Sequence, residues 1–254
     1  MLQSQFLKVA LEAAQKAEEI ILRYYSDSIN PELKADGTPV TIADTTAEKV
    51  IIETIQRRFP EHGFLGEESG IAHSQSGYQW IIDPIDGTKN YIRNIPLFAT
   101  QIALMKDDEL ILGVSNSPIL KEVLYAERGE GAFLNDQQIH VSSVSEIPEA
   151  MVCHGGLRWF SEKGILSNLC NLIDHSYRSR GFGDFYMYHL VASGRADIVI
   201  ESDIKIWDIA ALTVILEEAG GRATDLQGKP VDKDTVSMVA TNNVLHDSVF
   251  RYFS

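Results

Sequence analysis

The chain has 254 residues, 44% of them hydrophobic, which suffices for one large domain or two small ones and is too many for a disordered chain. Lys plus Arg number 22 against 36 Asp plus Glu, a net charge of -14. That balance argues against a nucleic-acid backbone or an anionic membrane surface as the main partner, and it admits an anionic small molecule only where cations stand between it and the protein. The two cysteines, Cys153 and Cys170, belong to no close-spaced Cys/His set, so neither a zinc site nor a disulfide framework is expected. A reducing cytoplasm is the expected compartment. The N-terminus lacks a basic and apolar leader pattern, and no run approaches the roughly 18 apolar residues of a membrane span.

In chain order, Phe6, Val9, Ala10, Ala13, Ala17, Ile20, Ile21 and Tyr24 recur at helical spacing and predict an amphipathic helix over residues 5–25. A polar stretch around Lys34 and Asp36-Gly37 follows, then a short strand over Val40 to Ile42. A second helix is expected from Thr45 to Phe59, ended by Pro60-Glu61-His62-Gly63. Phe64-Leu65 then leads directly into the acids Glu67 and Glu68.

Trp80 to Ile82 reads as a buried strand that stops at Asp83-Pro84, because proline lacks the amide hydrogen of a ladder. Asp83 and Asp86 flank Ile85, and Gly87-Thr88 could open a helix. Carboxylates bind hard cations, and free amides at a helix start bind anions. Strand, acidic turn and helix start together suggest a metal ion beside a phosphate. An ordinary Asp-Pro, Asp-Gly turn explains the same residues locally.

Strands are expected over Ala99–Met105, Ile111–Ser115 and Glu122–Glu127, with a hairpin-like segment from Gly129 to Asp136. The polar stretch Ser142 to Glu149 suggests a boundary. It divides the chain into an α+β half, residues 1–145, and an α/β half, residues 146–254. In the second half strands are expected at Met151–His154, Ser176–Arg180, Ile198–Glu201, Ala223–Leu226 and Ser237–Thr241. Helices are expected at Ser161–Ile173, Asp184–Ser193, Asp208–Ala219 and Val244–Phe253. Asp208 sits at a helix start, where it reads as an N-cap or as a cation ligand.

Three stretches in this order, Gly66-Glu67-Glu68-Ser69, Asp83-Pro84-Ile85-Asp86-Gly87-Thr88-Lys89-Asn90 and Trp207-Asp208-Ile209-Ala210-Ala211, resemble the signature of the inositol monophosphatase family. The likeness runs from Lys34 to Gly221. It implies a layered α/β/α/β/α sandwich, a homodimer, and a lithium-sensitive, Mg²⁺-dependent phosphomonoesterase acting on a small phosphorylated metabolite. By that resemblance Glu67, Asp83, Asp86 and Asp208 are metal-binding carboxylates, and Ile85 lends its carbonyl. Gly87 and Thr88 offer amides to phosphate, with Lys34 a basic position before them. Glu67 and Thr88 orient a water, and Asp44 supports Thr88 as a proton relay. The all-oxygen set suits two or three Mg²⁺ ions, with Mn²⁺ as a substitute, and does not suit zinc.

Substrate choice points to Arg178-Ser179-Arg180-Gly181-Phe182-Gly183-Asp184-Phe185-Tyr186. Gly183-Asp184 followed by Tyr186 looks like the histidinol-phosphatase branch, where inositol phosphatases carry small residues. Asp184 and Glu201 could pair with the cationic groups of L-histidinol phosphate, while Asp184 also reads as an N-cap of the following helix. Arg180 reads as a contact to the phosphate or to a neighbouring subunit, or as an exposed surface residue. Trp207-Asp208 is the commoner form among inositol phosphatases, so myo-inositol phosphate is the alternative substrate. A metal-binding regulatory protein without turnover is a more remote reading, and an RNA-associated role finds no support in the net charge.

Overall fold

The computed structural model describes residues 4–25, 32–33 and 39–253. The first half runs α1 (Gln5–Tyr25), β1 (Glu32–Leu33), β2 (Pro39–Val40), α2 (Ile42–Gln56), β3 (Gly63–Gly66), β4 (Gly70–Ala72), β5 (Tyr78–Asp86) and α3 (Thr88–Tyr91). A meander follows: β6 (Ala99–Lys106), β7 (Glu109–Ser117), β8 (Glu122–Glu127), β9 (Ala132–Leu134) and β10 (Gln137–Ile139). The second half carries β11 (Met151–His154), α4 (Leu157–Glu162), α5 (Leu166–His175), β12 (Arg178–Arg180), α6 (Asp184–Ala192) and β13 (Ile198–Ser202). It ends with α7 (Ile206–Glu218), β14 (Arg222–Thr224), β15 (Ser237–Thr241) and α8 (His246–Phe250).

Two large sheets result. One has eight strands in the order β10-β9-β8-β7-β6-β5-β3-β4, antiparallel except where β3 runs parallel to β5. The other has five, in the order β12-β11-β13-β15-β14. Period-two alternation assigns each sheet face to a different core. On β5, Trp80 and Ile82 pack with the α1 and α2 residues Ala13, Ala17, Ala47 and Ile51, whereas Ile81 packs with α6 and α7. On β13, Val199 joins that same central core, and Ile198 and Ile200 face Leu169 and Leu172 of α5 and Val249 of α8. The layers are therefore α1/α2, eight-stranded sheet, α6/α7, five-stranded sheet, and α5 with α8: an α/β/α/β/α sandwich.

The central helices show what burial on both sides requires. Residues Ile209 to Leu216 of α7 are all buried, so the helix is apolar all round. It lies close against β7, where a Cβ at Gly113 would stand 2.2 Å from the Ala211 carbonyl oxygen. Only a residue without a side chain fits there.

Some boundaries differ from the sequence reading. Helix α2 starts at Ile42 and not Thr45, because Thr41 caps it: its Oγ1 accepts from the Ala43 and Asp44 amides while Asp44 Oδ2 takes the Thr41 amide. Strand β5 continues past Asp83 to Asp86. Asp83 pairs with Gln101 and Asp86 with Ala99, so β5 has one extra residue there. That bulge accommodates Pro84, which needs no ladder donor. The helix expected over Ser161–Ile173 is two helices, α4 and α5, interrupted at Gly164 with φ +73.

A polar set, buried at Ser115 and His189 and exposed at Arg195, ties α6 to the first sheet. His189 Nε2 lies 2.7 Å from Ser115 Oγ and its Nδ1 lies 3.4 Å from Glu122 Oε2. Arg195 clasps Glu122 with two bonds of 2.8 and 3.1 Å. The bonds from His189 and Arg195 hold the Glu122 carboxyl down to about 2, against an ordinary value of 4.5. The unfolded chain therefore binds a proton here before the folded one does, and the stabilisation is present above about 4.5 and lost as pH falls towards about 2. Glu122→Gln is expected to cost about 2 kcal/mol at neutral pH. In urea unfolding, the gap from wild type should close across that acid window. A gap independent of pH would contradict the assignment.

Candidate active site

Strand register builds the acidic centre. Gly66 of β3 pairs in parallel with Ile82 of β5, so the next residues, Glu67 and Asp83, emerge side by side from the same end of the sheet. The Glu67 amide donates to the Ile82 carbonyl at 3.1 Å, and after burial itself the Glu67 charge weighs against ionisation of Asp83. Asp83 then shapes the bulge: its Oδ1 accepts from the Ile85 amide at 2.9 Å. The turn delivers Asp86, which is buried. Gln101 Nε2 donates to Asp86 Oδ2 at 3.3 Å.

Gly87 follows with φ +91, and a Cβ there would stand 2.8 Å from the Leu97 carbonyl oxygen. Glycine is thus required for the chain to turn from β5 into α3. Thr88 Oγ1 lies 2.9 Å from the Ile85 carbonyl oxygen and 3.3 Å from Asp44 Oδ1. The other Asp44 oxygen accepts from the Thr41 amide and hydroxyl at 2.7 and 2.6 Å. Asp44, third residue of α2 and partner of its Thr41 cap, therefore also reaches Thr88.

The second half closes the site from above. Asp208 lies in the first turn of α7, two residues beyond its start, and its Oδ2 accepts from the Lys205 amide at 2.7 Å. It is not the N-cap. Asp184 opens α6 with φ +52, and its Oδ2 accepts from Asn90 Nδ2 at 2.9 Å. Glu201, near the end of β13, accepts from the Tyr188 hydroxyl at 2.7 Å. Asp86, Lys89, Asn90, Trp159, Asp184, Tyr188, Glu201 and Asp208 line one cavity of ≈ 330 Å³.

Burial and mutual repulsion dominate the electrostatics. Burial raises Asp83 and Asp86 well above the ordinary carboxylate range, and the negative charges of their neighbours add to it. Burial pushes Asp208 to about 7, opposed by the Lys205 amide and reinforced by Glu67 and Asp184. Glu201 rises to about 8 and Asp44 to about 6, again mainly by burial. Asp184 rises to about 6 by burial, with the Lys89 charge and the Asn90 bond pulling it back.

Such packing of like charges calls for a cation. Among the described residues no group of three or more His, Cys, Asp or Glu is already arranged to hold a metal ion. As they lie, Asp83 and Asp208 are turned onto backbone amides. The donor chemistry fits a hard divalent ion all the same: carboxylates and one carbonyl, with no sulfur or imidazole, repelling one another in a buried place.

The sequence-predicted residues thus fall into three groups. Asp86, Asp184, Glu201 and Asp208 meet at the cavity. Asp44, Glu67, Asp83, Ile85, Gly87 and Thr88 form the bonded layer adjoining it. Arg180 stands apart on the edge strand β12, donating to the Ser179 carbonyl, and does not line the cavity. Lys34 lies outside the described residues. Sequence reasoning missed Asn90, Gln101, Trp159 and Tyr188. Tyr188 had a signal, standing one helical turn after Asp184.

The layered fold and a cavity floored by buried acids define a phosphoric monoester hydrolase of the α/β sandwich type, and the comparisons agree. Residues 2–254 match the inositol monophosphatase family, and the chain belongs to it. A histidinol-phosphatase of Mycobacterium tuberculosis is 40% identical over 249 residues, 96% of this chain and 95% of that protein. An inositol-1-monophosphatase of Mesorhizobium japonicum is 33% identical, covering 99% of this chain and 97% of its own. The crystal structure of the extragenic suppressor protein suhB from Bartonella henselae superposes with a TM-score of 0.93 at 32% identity, covering 99% of each chain.

Proposed function

We propose that the cavity hydrolyses L-histidinol phosphate in the presence of Mg²⁺, with Mn²⁺ able to substitute. The observation that carries this reading is the acidic wall. Asp184 and Glu201 stand on the cavity beside the metal-type acids, where a leaving group carrying an ammonium or imidazolium would find two carboxylates. An uncharged polyol would bring no cation to either. The 40% identity to a histidinol-phosphatase supports the same choice.

Residues 1–145 supply the metal and phosphate side, and residues 146–254 supply the specificity wall and the last metal ligand. Glu67, Asp83, Asp86, Asp208 and the Ile85 carbonyl would hold two or three ions. Bound, the ions supply the positive field that admits an anionic ester and makes water a better nucleophile. The chain's own residues do the rest. The Gly87 and Thr88 amides take the phosphate. Glu67 would orient the attacking water; as its proton passes to Thr88 Oγ1, the Thr88 hydroxyl proton passes to Asp44 Oδ1, 3.3 Å away. A cytoplasmic homodimer belongs to the same proposal. Within the described residues, no helix is long and apolar enough to cross a membrane.

Myo-inositol 1-phosphate is the second reading, favoured by Trp207-Asp208 and by the 33% identity to an inositol-1-monophosphatase. The test is phosphate release from each ester in Mg²⁺ and in EDTA. Release from L-histidinol phosphate should exceed that from myo-inositol 1-phosphate by about a hundredfold or more in kcat/KM and vanish in EDTA. A preference for the inositol ester would replace the substrate assignment. Full activity in EDTA would end the metal assignment.

A further inference from the structure

The cavity also has an aromatic side chain on its wall that the reaction just described does not use. Trp159 belongs to the short helix α4 and lines the same cavity as Asp184 and Glu201. Two adjacent glycines lead into its helix. A Cβ at Gly155 would stand 2.8 Å from Glu201 Oε1, and one at Gly156 would stand 3.4 Å from Trp159 Cδ1. The connection from β11 to α4 is therefore threaded between the carboxylate and the indole, with no side chain to separate them. The indole is half-buried, and the Arg158 guanidinium lies 5.6 Å from its ring centroid, itself bonded to Glu162 at 2.7 Å. The guanidinium thus lies beside the ring, which also lines the cavity.

We propose that Trp159 is a specificity-determining residue that stacks against a planar, cationic ring of the leaving alcohol while Asp184 and Glu201 take its ammonium and ring N–H groups. The inference rests on the reading of a nitrogen-bearing leaving group and assigns the ring to one wall. An indole face is favourable to a flat cation, through both stacking and the quadrupole of the ring. An aliphatic side chain would offer neither.

The test compares L-histidinol phosphate with 2-aminoethyl phosphate, which keeps an ammonium and lacks the ring. Trp159→Ala should lower the kcat/KM ratio between the two about tenfold, and Trp159→Phe should recover most of it. An unchanged ratio in a Trp159→Ala protein that melts like wild type would overturn the proposal. So would a failure of Trp159→Phe to restore the ratio. Failure of the substrate reading is distinguishable. Should wild type cleave only a ringless ester, 4-methylimidazole is tested as a competitor on that ester. Competition in wild type that weakens about tenfold in Trp159→Ala supports the ring platform; no competition in wild type overturns it.

Discussion

Asp86→Asn is expected to lower kcat/KM about a thousandfold or more and, in EDTA, to raise the melting temperature. The two effects have one cause. Asp86 is buried, and after burial itself the negative charges of Asp184, Asp208, Glu201 and Glu67 weigh against its ionised form. Asparagine keeps the shape and removes the charge, so the metal-free fold loses a repulsion worth roughly 2 kcal/mol, or several degrees for a chain of this size. The new amide also brings a donor near Gln101 Oε1, a buried oxygen without a hydrogen-bond partner. The same substitution deletes a hard anionic ligand from the proposed metal site. Near-normal turnover would overturn the site assignment. A large fall in melting temperature would show that Asp86 serves the fold, contrary to the electrostatics.

The second large effect concerns selectivity. Asp184→Asn should reduce kcat/KM for L-histidinol phosphate relative to glycerol 2-phosphate about a hundredfold, since a carboxylate facing an ammonium in a desolvated site is worth about 2–3 kcal/mol. Asparagine is the informative replacement because residue 184 has φ +52, which Asn tolerates and Ala does not. The Asn90 donor would still find the carbonyl oxygen of the introduced amide, so α6 keeps its anchor. Asp184→Ala should show the same loss of selectivity with added destabilisation. Equal losses on both esters would remove Asp184 from the leaving-group wall.

Much of the site was legible before the fold was seen, because its acids lie in three short stretches with local structural logic. Glu67 follows an apolar strand, Asp83 and Asp86 occupy a proline-containing turn, and Asp208 opens a helix. Their convergence depends on pairings that no local pattern shows. Glu67 meets Asp83 only because β3 and β5 are parallel and end in register. Gln101 reaches Asp86 across the antiparallel pair β5 and β6, and Asn90 reaches Asp184 over 94 positions of chain. Trp159 escaped notice for a local reason. The helix was expected to begin at Ser161, and the left-handed Gly164 that separates α4 from α5 is silent in hydrophobic periodicity. The bulge at Pro84 was hidden in the same way, since a proline reads as a strand end unless an extra residue absorbs it.

The central claim is that divalent cations reconcile this acidic centre with an anionic ester. Thermal unfolding measured in EDTA, in Mg²⁺, in inorganic phosphate with EDTA, and in both ligands together tests it most directly. Mg²⁺ alone should raise the melting temperature, because it relieves the packed carboxylates. Phosphate should raise it further only when Mg²⁺ is present, and should do nothing in EDTA. Stabilisation by phosphate that is equal with and without Mg²⁺ would contradict the account.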